Sequence, residues 1–326
     1  MNTHRSLLAA LLTVVTLGAT MATSFAGDPP AAAPTTKDAA KPELIYSETA
    51  DANSDIAAAL VRAKRNNTRV LLQWGANWCG WCKWFHASCK TDSSLARELR
   101  YEYEVVLIDV GQFDKHQDLT TKYGVDLKKN GVPFLTVLAA DGSVVINQES
   151  SSLEKPADAS PKGHDVAKVL AFFKANQAPA LNANDVLAAA VASAKSQDKL
   201  VFLHFGAPWC GWCHRLEDWM AKPEIAAIFA KAFVDVKIDT DRMSNGEEVL
   251  KTHSQGKNGG IPWCEILDGQ GIALVNSNAS SGNIGFPAQP EEIAWFVQML
   301  TKSNARISAE DIAVLQASLT PPAKTK

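Results

Sequence analysis

The sequence carries little net charge and, beyond its first 26 residues, lacks a long apolar run. It has 32 Lys and Arg residues against 35 Asp and Glu, which gives a formal net charge of -3 at pH 7. Such a balanced chain has neither the electrostatic footprint of a nucleic-acid-binding protein nor a polybasic patch for a membrane surface. No later segment is apolar over the roughly 20 residues that a membrane-spanning helix needs. We therefore expect no nucleic-acid partner and no stable membrane insertion of the mature protein.

The first 26 residues have the pattern of a secretory signal peptide. A basic Arg5 is followed by an apolar run from residue 7 to about residue 22 and then by a Ser-Phe-Ala that ends at Ala26. This order is typical of a cleaved export signal, so we predict cleavage after Ala26, with Ala22 as the alternative site. The run is short for a membrane span, although an uncleaved anchor stays an alternative. The mature protein is expected to be periplasmic or secreted, where disulfides persist.

Two segments of the chain repeat the same series of motifs. Gly-Ala-x-Trp-Cys-Gly-Trp-Cys occurs at 75–82 and again at 206–213, each time directly after a short apolar strand pattern. Each copy continues with a second apolar strand pattern, then Gly-Val-Pro133 or Gly-Ile-Pro262, another strand and an Asp-Gly hairpin signal. The similar distance from the first cysteine to the proline favours a duplication over two unrelated cysteine pairs.

Length and composition agree with two folded domains. A chain of 326 residues has room for two domains of roughly 100–200 residues each. Residues 27–42 lack apolar periodicity and are predicted to be a flexible leader. Ser308 and Asp311 have the spacing of a capping box before an apolar stretch, which predicts an extra helix. The predicted organisation is a signal peptide at 1–26, the leader at 27–42, a first domain at 43–178 and a second at 179–326 with the extra C-terminal helix.

With a strand, a Trp-Cys-x-x-Cys that opens a helix and a distant x-Pro before another strand, the chain resembles the thioredoxin family. The resemblance covers about residues 43–178 and again about 180–303. It implies an α/β fold of two thioredoxin-like domains, each a central mixed β-sheet flanked by helices. It also implies that each cysteine pair is redox-active and lies at a helix N-terminus beside a cis-proline loop. The implied catalytic residues are Cys79, Cys82, Cys210 and Cys213.

Thiolate chemistry gives a physical reason for this placement. The thiolate is the nucleophile in thiol-disulfide exchange, and a free cysteine with a pKa of about 8.5 supplies little of it at neutral pH. A helix N-terminus lowers that pKa through its unpaired N–H groups and partial positive charge. Cys79 and Cys210 are therefore the expected attacking thiols, and Cys82 and Cys213, one helical turn later, the expected resolving thiols.

The predicted function is that of an enzyme, a thiol-disulfide oxidoreductase that needs no cofactor. Its expected partners are protein thiols and disulfides and an unidentified redox partner that resets the pairs. Reductases, oxidases and isomerases use the same two sulfurs, so the direction of electron flow stays open.

Residues around the cysteine pairs are candidates for substrate binding. By resemblance, both x-Pro bonds are cis, and the backbone of the residue before each proline faces an extended substrate peptide in strand-like pairing. The tryptophan inside each CGWC motif is expected to be exposed and to contact the partner. The candidate substrate-binding residues are Trp81, Val132, Pro133, Trp212, Ile261 and Pro262.

The two segments differ at the position where thioredoxin has a buried aspartate that assists proton transfer from the second cysteine. Six residues before the first cysteine, the first segment has Gln73 and the second has His204. An amide cannot act as a base, whereas a histidine ordinarily titrates near neutrality, so His204 is a candidate for proton transfer. Local hydrogen bonding within the strand is the alternative for both residues.

Two further cysteines have open roles. Cys89 lies seven residues after Cys82, on the same face of a continuous helix, and Cys264 lies two residues after Pro262. Each is either an additional redox or ligating thiol or a small buried hydrophobic residue of the core.

Three other functions stay open as alternatives. Copper or zinc binding is one, although two thiolates supply only half of a tetrahedral zinc shell and no metal site is predicted. Attachment of a c-type haem is another, because the second motif reads CGWCH and ends at His214, but the first motif has Lys83 at that position. A binding or chaperone module that keeps the fold without turnover is the third.

Overall fold

The computed structural model describes residues 44–303 and 306–320. The predicted signal peptide and leader therefore lie outside the described residues. The described chain contains two four-stranded sheets, each mixed and each flanked by helices. This architecture confirms the predicted α/β class with two thioredoxin-like domains. Among the helices at 44–303 and 306–320, none is long and apolar enough to cross a membrane.

The first domain is built around a mixed sheet. Its helices are α1 (Ala52–Asn66), α2 (Gly80–Thr91), α3 (Ser93–Glu102), α4 (Gln117–Tyr123), α5 (Leu127–Asn130) and α6 (Val166–Asn176). Its strands are β1 (Arg69–Gly75), β2 (Tyr103–Asp109), β3 (Phe134–Leu138) and β4 (Val144–Glu149). β2 is parallel to β1, whereas β3 and β4 are antiparallel to their neighbours, and the strand order is β2-β1-β3-β4.

The second domain repeats this sheet and adds to it. Its helices are α7 (Ala183–Gln197), α8 (Gly211–Met220), α9 (Pro223–Ala232), α10 (Gly246–Ser254), α11 (Pro290–Lys302) and α12 (Ala309–Leu319). Its strands are β5 (Leu200–Gly206), β6 (Phe233–Asp239), β7 (Trp263–Leu267), β8 (Ala273–Asn276), β9 (Asn278–Ala279) and β10 (Gly282–Asn283). The main sheet has the order β6-β5-β7-β8 with the same strand directions, and β9 and β10 form a separate small hairpin.

The predicted C-terminal helix is present as α12. Its N-cap Ser308 hydroxyl accepts a hydrogen bond from the Asp311 N–H at 3.1 Å, and the Asp311 carboxylate accepts one from the Ser308 N–H at 3.4 Å. These reciprocal bonds satisfy two N–H groups that a helix N-terminus otherwise leaves free. The predicted capping box is confirmed.

The central strand of each sheet is buried on both faces. β1 reads Arg-Val-Leu-Leu-Gln-Trp-Gly, β5 reads Leu-Val-Phe-Leu-His-Phe-Gly, and every residue after the first is buried in both. A nearly continuous apolar run is the pattern expected of a strand covered by helices on either side. Gln73 and His204 are the polar residues that interrupt these buried runs.

Both predicted Asp-Gly hairpins form with the same turn hydrogen bonds, from the Gly142 N–H to the Ala139 carbonyl and from the Gly271 N–H to the Asp268 carbonyl, but the Asp-Gly pair lies at different positions of the turn. In the first hairpin Gly142 adopts a positive φ of 86°, as an Asp-Gly turn requires. In the second, the glycine at the same position of the turn is Gly271, with a φ of 82°, and the Asp268-Gly269 pair begins the turn. The Asp268 carboxylate accepts the Gln270 N–H at 2.8 Å, which places the aspartate at the start of the turn.

A buried arginine joins the two domains, which from Leu44 onwards form one compact unit. Arg242, which follows β6, contacts the Glu102 carboxylate at the end of α3 with two N–H groups, at 2.7 Å and 3.1 Å. Its guanidinium also donates to the carbonyl oxygens of Asn66 and Asn67 at the C-terminus of α1. A cation stabilises such free helix carbonyls. The end of α1 is therefore held against the second domain.

Candidate functional site

Each cysteine pair forms a disulfide at the start of a helix. Cys79 is the N-cap of α2 and is bonded to Cys82; Cys210 is the N-cap of α8 and is bonded to Cys213. In each pair the Sγ of the first cysteine accepts the N–H of the second, at 3.0 Å and 3.1 Å. The first cysteine of each pair is slightly exposed, 5% for Cys79 and 4% for Cys210. The second is more deeply buried, with 0% for Cys82 and 2% for Cys213. The more accessible sulfur thus lies where helix N–H groups stabilise negative charge.

A tight turn after the central strand places each pair. The Cys79 N–H donates to the Ala76 carbonyl at 3.1 Å, and the Cys210 N–H donates to the Ala207 carbonyl at 3.0 Å. The chain therefore reverses directly after β1 or β5, and the next residues begin the helix. The Gly-Ala-x-Trp-Cys segment therefore connects the central strand to the helix through a single turn.

A cis-proline loop faces each disulfide. The bonds before Pro133 and Pro262 are both cis, as the resemblance implies. The carbonyl oxygen of the preceding residue lies 3.4 Å from the first sulfur of the pair in the first domain and 3.6 Å in the second. These preceding residues are Val132 and Ile261. The structure thus brings the backbone predicted to bind substrate next to the sulfurs predicted to attack it.

The two motif tryptophans have different surroundings. Trp212 is 54% exposed, its ring stacks on Phe286 at a centroid distance of 6.2 Å, and the Arg215 guanidinium lies over both rings. Trp81 is only partly exposed, because its ring packs edge-on against the buried His164 and a neighbouring tryptophan. The prediction of two exposed motif tryptophans is therefore correct for Trp212 and wrong for Trp81.

Neutral side chains lie beneath the first disulfide. The fully buried Tyr46 packs against Cys79 and Cys82, and its hydroxyl accepts a hydrogen bond from Gln73 Nε2 at 2.7 Å. A methyl group on Gly75 would overlap this hydroxyl, so the glycine leaves the room that the tyrosine fills. Burial raises the pKa of the Tyr46 hydroxyl, which keeps it protonated.

A charged pair lies beneath the second disulfide. Lys237 Nζ is 2.6 Å from Glu217 Oε1, and the two side chains are 8% and 1% exposed. A methyl group on Gly206 would lie 3.4 Å from Cys213 Sγ and 3.6 Å from Lys237 Cε, so both border the same small space. Glu217 follows Cys213 by one turn of α8, on the same face of the helix.

Sequence reasoning missed the residues beneath both disulfides. Tyr46 lies ahead of α1 in a stretch without periodicity, and nothing in that stretch predicts where its ring packs. The spacing of four residues between Cys213 and Glu217 was the available signal in the second domain. The partner of that carboxylate depends on how α8 packs against β6, which the spacing does not reveal.

His204 has an ion-pair partner of its own. Its Nε2 lies 3.2 Å from Asp235 Oδ1, and the imidazole is buried on β5. In the described part of the chain no hydrogen bond joins His204 to Cys210 or Cys213. The predicted role in proton transfer therefore has no direct contact with either sulfur to support it.

The two remaining cysteines are buried thiols. Burial raises the pKa of Cys89 to about 12 and also raises the pKa of Cys264 well above its usual range. A thiol that stays protonated is a weak nucleophile and a weak metal ligand. Both surroundings favour the core-packing alternative for these residues.

The surroundings of the pairs bear on metal binding and on haem attachment. Across residues 44–303 and 306–320, no group of three or more His, Cys, Asp or Glu side chains is arranged to hold a metal ion. In the CGWCH motif, His214 Nε2 lies 2.9 Å from the Pro208 carbonyl oxygen, and both cysteines are bonded to each other. A haem thioether would require those two sulfurs.

Family models match both domains. A model described as "Thioredoxin-like" matches residues 51–140. A second, a DsbH-type model described as "Protein of unknown function, DUF255", matches residues 167–302. Together with the two mixed sheets and the paired cysteines, these matches define the class: the chain belongs to the thioredoxin-like family. Its close cysteine pairs support thiol-disulfide exchange.

Individual relatives resemble parts of the chain. A disulphide isomerase from Xylella fastidiosa Temecula1 is 32% identical, covering 41% of this chain and 98% of its own, with a TM-score of 0.36. The C-terminal domain of DsbD from Neisseria meningitidis, in its oxidised form, is 22% identical over 39% of this chain and 97% of its own, with a TM-score of 0.30. Spermatogenesis-associated protein 20 of Homo sapiens is 31% identical over 71 residues, 22% of this chain. The matched region spans only 9% of the length of that human protein.

Proposed function

We propose that the protein is an exported thiol-disulfide oxidoreductase that exchanges disulfides with protein substrates at both cysteine pairs. The observation that carries this function is the repeated placement of a disulfide at a helix N-cap beside a cis-proline loop. In both domains the carbonyl oxygen of that loop comes within 3.4 Å or 3.6 Å of the first sulfur. Membership of the thioredoxin-like family supports the same chemistry.

The exchange begins at the N-cap sulfur. In the reduced protein the thiolate of Cys79 or Cys210 attacks one sulfur of a substrate disulfide, forms a mixed disulfide and expels the other sulfur as a thiolate. Cys82 or Cys213 then loses its proton and attacks the N-cap sulfur, so that the internal disulfide forms and the remaining substrate sulfur leaves. Two electrons pass from the pair to the substrate. The reverse steps oxidise a substrate dithiol.

A substrate peptide is expected to lie along the cis-proline loop. An extended segment there pairs with the loop backbone and presents its cysteine to the N-cap sulfur. In the second domain a cavity of about 300 Å³ adjoins the loop, and its lining includes Trp212, Pro262, Asn283 and Phe286. Aromatic rings beside a few polar groups suit an apolar or aromatic side chain next to the substrate cysteine.

Export and the redox partner complete the proposal. The predicted signal peptide supports export to the periplasm or the exterior, where substrate disulfides persist. Each turnover leaves a pair in the opposite redox state, so a second thiol or disulfide partner must restore it. The two sulfurs carry the electrons themselves, and the proposed reaction needs no cofactor.

The reduction potential of each pair tests the proposal. The mature protein, a Cys79→Ser/Cys82→Ser variant and a Cys210→Ser/Cys213→Ser variant are equilibrated in glutathione or dithiothreitol buffers, and tryptophan fluorescence reports the redox state. Each variant keeps one pair and serves as the control for the other. We expect a reversible two-electron transition for each pair, between about -270 and -120 mV.

The measured potentials also indicate the direction of electron flow between the protein and its substrate. A potential near the lower limit indicates a reductase with a dedicated electron supply, whereas a potential above about -180 mV indicates an oxidase or isomerase. A protein without a reversible transition at either pair would contradict the oxidoreductase function.

A further inference from the structure

The charged cluster beneath the second disulfide is built from both domains. Lys237 on β6 and Glu217 on α8 belong to the second domain, whereas Arg65 and Asn66 end α1 of the first. An Arg65 guanidinium nitrogen lies 3.4 Å from Glu217 Oε2. Lys237 Nζ donates a hydrogen bond to Asn66 Oδ1 at 3.1 Å. The first domain therefore supplies two of the four polar side chains in this cluster.

Two cations hold the Glu217 carboxylate in this cluster. Lys237 Nζ lies 2.6 Å from Oε1, and an Arg65 guanidinium nitrogen lies 3.4 Å from Oε2, so each oxygen faces a cation. Arg65 also donates to the Glu217 backbone carbonyl at 3.2 Å. Charges buried in this way are poorly screened and act strongly on a neighbouring group that ionises.

The group that ionises next to the cluster is the Cys213 thiol. Its sulfur and the Lys237 stem border the same space at Gly206, and Glu217 lies one turn further along α8. Two cations face one buried carboxylate, so the cluster is net positive. A positive charge favours the thiolate over the thiol.

Asp239, two residues after Lys237 on β6, is buried; burial raises the pKa of its carboxyl group, whereas Lys237 and Arg242 lower it. Two further carboxylates lie nearer to solvent. Asp218 lies 3.8 Å from Arg65 and its side chain is 73% exposed. Asp235 is 45% exposed and pairs with His204 on β5. Solvent screens these carboxylates more than the buried cluster, so they offset its charge only weakly.

We propose that Arg65 and Asn66 of the first domain complete a charged cluster that promotes ionisation of Cys213, so that the resolving step at the second site depends on the docked first domain. This inference rests on the proposed function, because it concerns one step of that exchange. In the step, the Cys213 thiol releases its proton to solvent and its thiolate attacks Cys210 Sγ. The bond between Cys210 and the substrate breaks, and the substrate sulfur leaves with the electron pair.

Each member of the cluster has a distinct part in this step. The Lys237 ammonium stabilises the forming thiolate, and Asn66 holds its Nζ in place. Arg65 offsets the negative charge of Glu217, which would otherwise cancel the field of Lys237 at the sulfur. All four are positioning residues, since none of them touches the substrate.

Among residues 44–178, which the structure describes, the first domain has no such arrangement and provides an internal comparison. In the first sheet Leu107 on β2 lies opposite Gln73 on β1. The equivalent strand positions in the second sheet are occupied by Lys237 on β6 and His204 on β5. The space beneath Cys82 is filled by the neutral Tyr46, and the buried Asp109 that acts on Tyr46 pairs with Lys115 of the same domain. Dependence on a cluster from the other domain is therefore expected of the second site only.

The rate of the resolving step against pH tests the proposal. The full chain carrying Cys79→Ser/Cys82→Ser is reduced and mixed with 5,5'-dithiobis(2-nitrobenzoate) in a stopped-flow instrument. Attack by Cys210 releases one chromophore, and attack by Cys213 on the resulting mixed disulfide releases a second. The pH midpoint of the second phase reports the ionisation of Cys213.

Opposite charges are expected to move this midpoint in opposite directions. Arg65→Gln raises the midpoint and slows the second phase about three- to tenfold at neutral pH, and Lys237→Met does so by about tenfold or more. Glu217→Gln lowers the midpoint. Arg65→Lys keeps the charge and is expected to restore the parental midpoint.

A matched control separates this effect from general loss of charge. Lys231→Met removes a lysine from an exposed ion pair with Asp311 in the same domain and is expected to leave the midpoint unchanged. Parental midpoints in Arg65→Gln and Lys237→Met, with both phases intact, would overturn the inference. The inference would also be overturned if Glu217→Gln and Lys237→Met moved the pH midpoint in the same direction. Loosening of the structure, unlike a change of charge, would affect both variants in the same way.

Arg65→Gln is the decisive variant, because Arg65 is 24% exposed and its replacement leaves the core of the second domain intact. A variant with two normal phases and an unmoved midpoint contradicts this inference alone. A parental protein that releases only one chromophore contradicts both this inference and the proposed function.

Discussion

The two domains share a motif, a sheet order and a cis-proline loop, yet the space behind the second cysteine is filled in opposite ways. In the first domain it holds the hydrogen-bonded, neutral Tyr46 and Gln73. In the second it holds the buried ion pair of Lys237 and Glu217. An identical CGWC motif therefore lies in two electrostatic environments. The comparison shows that a repeated motif does not imply repeated redox behaviour, because thiolate stability depends on the surrounding charges.

Access to the disulfides differs as well. In the second domain the cis-proline loop beside the disulfide lines a cavity with the exposed Trp212 on its wall. In the first domain Trp81 is partly covered by His164, which comes from the loop before α6. The β9–β10 hairpin of the second domain contributes to the cavity wall and has no counterpart among the strands of the first. We expect the two sites to differ in the peptides that they accept.

Replacing one attacking cysteine at a time separates the two sites most sharply. Cys79→Ser is expected to lower exchange at the first pair by at least about 10³-fold and to leave the second pair active, because a hydroxyl supplies no thiolate at neutral pH. Cys210→Ser is expected to do the reverse. Reduction of a peptide disulfide by each variant measures this. If either single variant loses all activity, the pairs act in series and not side by side.

Removing the arginine between the domains is expected to have the largest effect on stability. Arg242→Met leaves the partly buried Glu102 without its cation and two α1 carbonyl oxygens without a donor, at a cost of about 3 kcal/mol. Urea unfolding measures the loss, and limited proteolysis at 177–182 reports loosening between the domains. Lys231→Met, which breaks an exposed ion pair, is the control and should cost less than about 1 kcal/mol. Equal costs for the two variants would show that Arg242 does not hold the domains together.

Acid sensitivity is expected to arise in the first domain from His164. Burial lowers the pKa of His164 from its usual value of 6.5 to about 4, and neither ring nitrogen has a hydrogen-bond partner in the described chain. The folded state thus binds this proton less readily than the unfolded state. The stability that His164 contributes is complete above pH 6.5 and is lost as the pH falls from 6.5 towards 4.

The size of this loss is about 3 kcal/mol at pH 4 relative to pH 7. Urea unfolding of the parent and of His164→Leu at both pH values measures the difference between their pH dependences. The parent and His164→Leu have the same carboxyl groups, so the contribution of these groups to the pH dependence cancels when the two curves are compared. Parallel pH curves for the two proteins would exclude His164 as the cause.

A methyl group added at the two equivalent glycines is expected to have unequal effects. Gly75→Ala overlaps the rigid ring of Tyr46 and is expected to cost about 2 kcal/mol. Gly206→Ala meets the Cys213 Cβ at 3.1 Å and the flexible stem of Lys237 at 3.6 Å, and about 1 kcal/mol is expected. Denaturant unfolding measures both costs.

The glycine comparison has a control inside the second motif. Gly211→Ala meets no atom within 4 Å and should be close to neutral. Tyr46→Ala removes both the hydroxyl and the ring carbons that a methyl on Gly75 overlaps, so Gly75→Ala should cost less in that background than in the parent. An equal cost in both backgrounds would place the strain elsewhere.

The smallest expected effect is a difference between the two reduction potentials. A positive cluster beside Cys213 stabilises the reduced, thiolate-bearing state, so the second pair is expected to be the more oxidising by about 30 mV, or about 1.4 kcal/mol. Equilibration with glutathione of the two variants that each keep one pair measures the difference. Arg65→Gln should narrow it. A first pair that is equal or more oxidising would show that other features of the sites dominate.

Much of the fold and of the reactive centres was predictable from the chain itself. Apolar strands, the repeated motif and the recurring x-Pro carried the resemblance to the thioredoxin family. That resemblance implied two mixed sheets with a cysteine pair at a helix start in each, and the structure has them. Ser308 and Asp311 indicated the last helix through a capping box that forms as expected. These signals are local, because periodicity, caps and short motifs involve residues that are neighbours along the chain.

Folding decided what surrounds the sulfurs. Tyr46 reaches the first pair from a segment with no recognisable pattern, and Arg65 reaches the second pair from the other domain. Trp81 looked equivalent to Trp212 in sequence, but it is partly covered because His164 packs on it. Burial and charge pairing depend on which distant elements come into contact, and that choice is made by the packing of whole sheets and helices. The sequence by itself determined the two redox motifs and their fold, whereas the tertiary structure decided how each motif is solvated, charged and approached.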